Sequence, residues 1–198
     1  MVKVATVDKW KLKQWFEIIA PALFHEQSLG ETFANDSRLL VGRVVEKALS
    51  DLTGDSKMQR IKLIFKITDV KGERALTKYL GHAITQDYER SIGRRRSSKI
   101  YSNQVVLTKD GKKVVIKSFI VASSTVKPSL KSDLRKKAVA AIFEFAKGEN
   151  FNDFVSSVLY GKLSAHVKKE LHKLYPVKYA VMQKSHVAEE GEAPLVAQ

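Results

Sequence analysis

Residues 103–123, NQVVLTKDGKKVVIKSFIVAS, set Asp110-Gly111 between two runs rich in β-branched residues. Asp-Gly supplies the positive φ that a two-residue hairpin turn demands, so two antiparallel strands are expected here. The same alternation lies upstream. In RIKLIFKITDV, residues 60–70, Ile61, Leu63, Phe65 and Ile67 fall on one face, with Lys62, Lys66 and Thr68 mostly on the other. Val70-Lys71-Gly72-Glu73 reads as a hairpin connection into a strand through Leu76, Lys78 and Leu80. RLLVGRVVEKAL, from Arg38, has the composition of a further strand, and DLTGDS, 51–56, that of a turn.

Beyond Pro128 the period changes. Leu130, Leu134, Ala138, Ala141 and Phe145 recur at helical spacing up to Gly148. Phe151, Phe154, Val155 and Val158 mark a second helix, with Asn150 as N-cap and Gly161 as stop. Leu163, Val167, Leu171 and Leu174 give a third, ended by Pro176, after which VKYAVMQK returns as a final strand. The prediction is an α+β fold: a curved antiparallel sheet or barrel with three helices in the C-terminal half. Residues 1–187 are expected to form one domain, with an extended N-terminal arm over about 1–20. The acidic tail 188–198 is poor in large apolar groups and is expected to be disordered.

The net charge of +14 is unevenly spread. Residues 1–88 carry 14 basic and 11 acidic side chains, residues 138–198 carry 7 of each, and residues 89–137 carry 14 basic against 3 acidic. Such an imbalance disfavours a compact state unless a polyanion offsets it, and nucleic acid is the natural polyanion. The segment TQDYERSIGRRRSSKIYS, 85–102, concentrates Arg90, Arg94, Arg95, Arg96 and Lys99, and reads as a long loop joining two strands. Lys112 and Lys113 follow on the hairpin. Lys131, Arg135, Lys136 and Lys137 lie in the N-terminal half of the first long helix, where cations oppose the macrodipole and do not serve helix stability. At the N-terminus Lys9, Lys11 and Lys13 interleave with Trp10, Leu12 and Trp15. Rings among lysines suit stacking on bases with amines on phosphates, although Trp10, Trp15 and Phe16 serve equally as core anchors. Phosphate contacts position without specifying, so no base sequence follows from them.

Signals for other classes are weak. There is no cysteine, hence no disulfide, thiolate nucleophile or thiolate metal site. The five histidines show no metal-ligand spacing, and no phosphate-binding glycine loop, nucleophile elbow or dinucleotide fingerprint occurs. Asp51 and Asp55 flank a turn where they could hold Mg²⁺ in a nuclease-like site, but such carboxylates more often form turns and caps. No cofactor, metal site, catalytic residue or small-molecule substrate is expected. A run of about 18 uncharged apolar residues is lacking, as is a signal-peptide pattern, so a cytosolic protein without a membrane partner is expected.

LVGRVVEKALSDL, KGERALTKYLGHAITQDYERSIGRRRSSKI and VVLTKDGKKVVIKSF resemble the archaeal and eukaryotic small-subunit ribosomal protein family S-three-A-e, eS-one in uniform naming. KWKLKQWFEIIAPALF, NFNDFVSSVLYGKL and LYPVKYAVMQKSHV extend the resemblance over roughly residues 9–187. Ala48 departs from it, standing where Ser or Cys is expected, and the short C-terminal tail looks archaeal. The resemblance implies a non-catalytic component of the small subunit's platform, near the mRNA exit. It implies small-subunit rRNA and neighbouring platform proteins as partners, with mRNA close by. The arginine segment and the N-terminal lysines would then be rRNA contacts. A free RNA-binding regulator or assembly factor is the alternative, and a Mg²⁺-dependent nuclease a third.

Overall fold

A computed structural model of the chain describes Trp10 and residues 13–188. Lys9, Lys11 and all of the acidic tail except Ala188 lie outside the described residues. The chain divides into two compact units, Met1–Lys47 with Leu63–Leu80, and Ala48–Lys62 with Gly81–Gln198.

The first unit contains β1 (Gln14–Ile19), β2 (Ser28–Ala34), nearly all of β3 (Val44–Ala48), and the larger parts of β4 (Ile61–Lys71) and β5 (Arg74–Ile84). β1 and β2 pair antiparallel with Trp15 opposite Phe33. β4 pairs with β3 and β5, and Gly72, at φ 62, makes the tight turn from β4 into β5. Phe24, Phe65 and Tyr79 pack edge to face or tilted at centroid distances of 5.4–6.2 Å, over a core that includes Leu40, Leu63 and Ile67. The alternation read in residues 60–70 is the burial pattern of β4: Leu63, Phe65 and Ile67 are wholly buried.

The second unit holds α1 (Leu49–Thr53), a 3-10 turn Ser56–Arg60, α2 (Gln86–Ile92), β6 (Lys99–Leu107), β7 (Lys113–Ala122), α3 (Pro128–Gly148), α4 (Phe151–Leu159), α5 (Lys162–His172) and β8 (Val177–Val187). β6 and β7 form the expected hairpin, with Lys99 opposite Val121 and Leu107 opposite Lys113. β8 comes last in the chain yet sits between β7 and the end of β5, antiparallel to both. At Gly81 a Cβ would overlap the Ser185 carbonyl oxygen, so this close approach of β5 to β8 requires glycine. Leu134, Ala138 and Ile142 of α3 and Leu163, Val167 and Leu171 of α5 give the helices their buried faces.

The fold is α+β with three helices in the C-terminal half, and the ladder of strands does not close. The pairing is mixed, because Glu17–Ile19 of β1 run parallel to Arg74–Leu76 of β5. RLLVGRVVEKAL is only partly a strand. Ser37–Leu39 form a 3-10 turn, Gly42 bends at φ 89, and β3 begins at Val44. The arginine segment is likewise not one long loop. Residues 86–92 are helical, and only Gly93–Ser98 separate α2 from β6. Asp87 and Glu89 in the first turn of α2 complement its dipole, and Ile92 packs with Phe119 and Val121.

Candidate nucleic-acid interface

The connection Gly93–Ser98 is tied down at both ends. Gly93 N–H donates to the Glu89 carbonyl (3.1 Å), and Ser98 N–H to that of Ser124 (3.2 Å). Between them Arg94 Nε donates to the Ser91 carbonyl (3.4 Å), and Ser97 Oγ to that of Arg94 (2.7 Å). Glu89 anchors the preceding helix: its carboxylate accepts from Tyr101 Oη (3.2 Å) and Gln183 Nε2 (2.8 Å). The Tyr101 phenol titrates above its ordinary value, through desolvation and then the hydrogen bond and charge of Glu89, so it stays a donor.

Arg94, Arg95 and Arg96 line one wall of a groove of about 520 Å³ in the second unit. Arg60, from the 3-10 turn, and Lys178, on β8, face the same space, with Tyr88 and Tyr179 beside them. Five cations and no carboxylate line the groove. Arg60 and Lys178 are far from residues 94–96 in sequence, and only the positions of β4's start and β8 bring them together. No linear pattern announces either residue. Of the other cations singled out in the same stretch, Arg90 sits exposed on α2, and the stem of Lys99 lies across Gly93.

α3 runs beside β6 in the same direction. At one end Val126 N–H donates to Ser98 Oγ (2.9 Å) and Arg135 Nε to the Tyr101 carbonyl (3.0 Å). At the other Lys109 N–H donates to the Glu149 carbonyl (3.1 Å). Lys131 and Arg135 therefore lie at the arginine end of β6, one turn apart on one helix face. Lys136 and Lys137 point about 100° and 200° further round the helix from Arg135. Lys137 contributes to holding the Glu170 carboxyl of α5 below its ordinary value, a shift caused first by the Lys173 hydrogen bond at 2.7 Å.

Lys112 and Lys113 occupy the opposite end of β6. Nine residues of strand separate the arginine connection from the hairpin turn, about 27 Å. There Asp110 Oδ2 accepts from Phe151 N–H (2.8 Å), and Lys112 Nζ lies 4.2 Å from the Phe151 ring centroid. The second unit thus carries cationic areas at both ends of β6, with exposed Lys117 of β7 and Lys184 of β8 opposite each other between them.

In the first unit Phe16 is a core residue, 4% exposed, whereas Trp10 and Trp15 are 68% and 62% exposed. Both indoles flank Phe33 at 5.5 Å between centroids, and Lys13 Nζ sits 3.6 Å from the Trp10 centroid. Of the three N-terminal lysines, Lys13 is the one described. Asp51 accepts from Ser50 Oγ (3.2 Å), and Asp55 from Lys57 N–H (3.0 Å) as the cap of the 3-10 turn. Among the described residues no helix is long and apolar enough to cross a membrane.

Residues 2–191 match the Ribosomal S3Ae family, a family of ribosomal proteins and not of enzymes. The chain is similar to a protein of Saccharolobus islandicus described as small ribosomal subunit protein eS1, with 40% identity over 180 residues, 91% of this chain and 86% of that one. A protein of the same description from Sulfurisphaera tokodaii is 38% identical over 183 residues, 92% of this chain and 95% of that one.

Proposed function

We propose, from the premise that this chain belongs to the ribosomal S3Ae family, that it is a structural protein of the small ribosomal subunit and binds small-subunit rRNA through its two cationic areas. Its place is the platform near the mRNA exit, beside neighbouring ribosomal proteins, as the resemblance implies. The observation that carries RNA binding is the carboxylate-free groove of Arg60, Arg94, Arg95, Arg96 and Lys178. Five uncompensated cations facing one space repel each other, and a phosphate backbone relieves that repulsion. Arginine forks match phosphate oxygens bidentately and also stack on bases. Lys13, Arg90, Lys99, Lys112, Lys113, Lys131, Arg135, Lys136 and Lys137 supply further cations for the same backbone. Lys9 and Lys11 extend this set from outside the described residues.

The test is binding of the purified chain to small-subunit rRNA across a salt series, together with sedimentation from extract. The chain is expected to stay with small subunits through a moderate-salt wash. Replacing Arg94, Arg95 and Arg96 together by Ala is expected to reduce the slope of log affinity against log salt by about 2. An unaltered slope would remove the groove from the RNA contact. Release of the chain in the wash would favour a free RNA-binding factor.

A further inference from the structure

The arginine groove is not a flat cationic patch. An adjoining groove of about 350 Å³ shares Arg60, Tyr88, Lys178 and Tyr179 with it, and is lined mainly by apolar side chains that include Ile84, Val158 and Leu159, with Lys57 and Lys168 at its margin. The guanidinium of Arg60 lies 4.6 Å from the Tyr88 ring centroid, a cation–π contact that presents a flat surface at the junction. Tyr179, 40% exposed, lines both spaces. A half lined by arginines thus meets a half with a largely apolar lining, and Tyr88, Tyr179 and the Arg60 guanidinium stand at the junction. That pairing matches the two halves of one nucleotide, a phosphate and a base, in a space of the size small ligands occupy.

Arg96 adds an independent sign. It adopts φ 66, a left-handed conformation that residues other than glycine and asparagine seldom take, in a connection whose ends are both pinned. Glycine would fit that backbone with less strain, yet a long cationic side chain stands there and lines the groove.

We infer that this double groove receives one unpaired nucleotide of rRNA, its base against Tyr179 and the Arg60–Tyr88 stack and its phosphate among Arg94, Arg95 and Arg96. A base inside a duplex cannot reach such a wall, so the nucleotide is one turned out of its helix or held in a loop. The inference rests on the proposed rRNA binding and adds that the contact includes a base. A free nucleoside monophosphate has the same chemistry, and the test separates the two sources.

Full-length chain is bound to small-subunit rRNA containing 4-thiouridine or its purine counterpart, irradiated, and the crosslinked peptides are sequenced. A crosslink within residues 179–184 or at Tyr88 is expected. Tyr179→Ala is expected to abolish the crosslink at 179–184 and weaken binding about tenfold, a usual loss for one stacked base, whereas Tyr179→Phe retains both. Arg96→Gly is expected to weaken rRNA binding while leaving the melting temperature unchanged or higher, which a merely structural Arg96 would not do. Wild-type affinity in Tyr179→Ala, with crosslinks only elsewhere, overturns the inference and leaves rRNA binding standing. No binding by the wild-type chain removes both. Competition by the four free nucleoside monophosphates is expected only far above the rRNA concentration. A mononucleotide that binds more tightly than rRNA assigns the groove to a soluble ligand and overturns the inference.

Discussion

His82 is 2% exposed and held between two partners, Met182 O at 3.2 Å from Nε2 and Ser185 Oγ at 2.5 Å from Nδ1. A carbonyl only accepts, so Nε2 carries the proton and Nδ1 accepts from the serine hydroxyl. Burial lowers the imidazole from its ordinary 6.5 to about 4, against an opposing effect of the Met182 hydrogen bond. Between those two values the unfolded chain holds a proton that the folded chain refuses. Stability is therefore whole above pH 6.5 and falls as the solution is acidified toward 4, by about 3 kcal/mol from this group. Urea unfolding of wild type and His82→Gln across this range checks it: the variant should lose the component of slope that His82 supplies. Parallel curves would mean that the imidazole is solvated. Arg96 shows a different economy at the same scale, since its left-handed backbone costs roughly 1–2 kcal/mol that glycine would avoid.

Two elements meet at the tip of the β6–β7 hairpin. Asn150 occupies the N-cap of α4 but makes no capping bond with its side chain. Asp110 fills that role from across the chain by accepting from Phe151 N–H. Asp110→Ala is expected to cost about 1 kcal/mol, read as a lower urea midpoint with unchanged m-value, because a helix N–H loses its acceptor. Asp110-Gly111 was legible as a turn; its second task was not, since a cap supplied from forty residues away leaves no local pattern. The same division runs through the fold. β4, β6, β7 and the buried stripes of α3 and α5 follow from apolar spacing that burial enforces. The parallel partner of β1 and the position of β8 do not, because periodicity assigns faces and not neighbours. α2 went unread because its cations read as part of one long loop, although Asp87, Glu89 and Gly93 already held start and stop signals. In the candidate site Arg94, Arg95 and Arg96 were visible as a charge run. Arg60 and Lys178 join them only through tertiary placement.

Across the molecule, the surplus charge of residues 89–137 gathers at both ends of β6, with Lys117 of β7 between them. Sites about 27 Å apart with no shared partner act independently. Lys112→Ala with Lys113→Ala, and the triple arginine substitution, are expected to reduce rRNA affinity by amounts whose logarithms add in the combined variant. Titration of all three variants at one fixed salt concentration checks this, and strong non-additivity would show that a single RNA segment bridges both ends cooperatively.

The position of β8 has a consequence for how the protein comes into being. Lys178 and Tyr179 belong to the strand that every other described element precedes, and that strand fills the gap between β5 and β7. A nascent chain keeps that gap open until residues 177–187 have been made. Before then the arginines share their groove only with the side chains made earlier, among them Arg60 and Tyr88, and Lys178 and Tyr179 are missing from it. The groove is therefore whole only in a chain whose β8 has been made and has docked between β5 and β7.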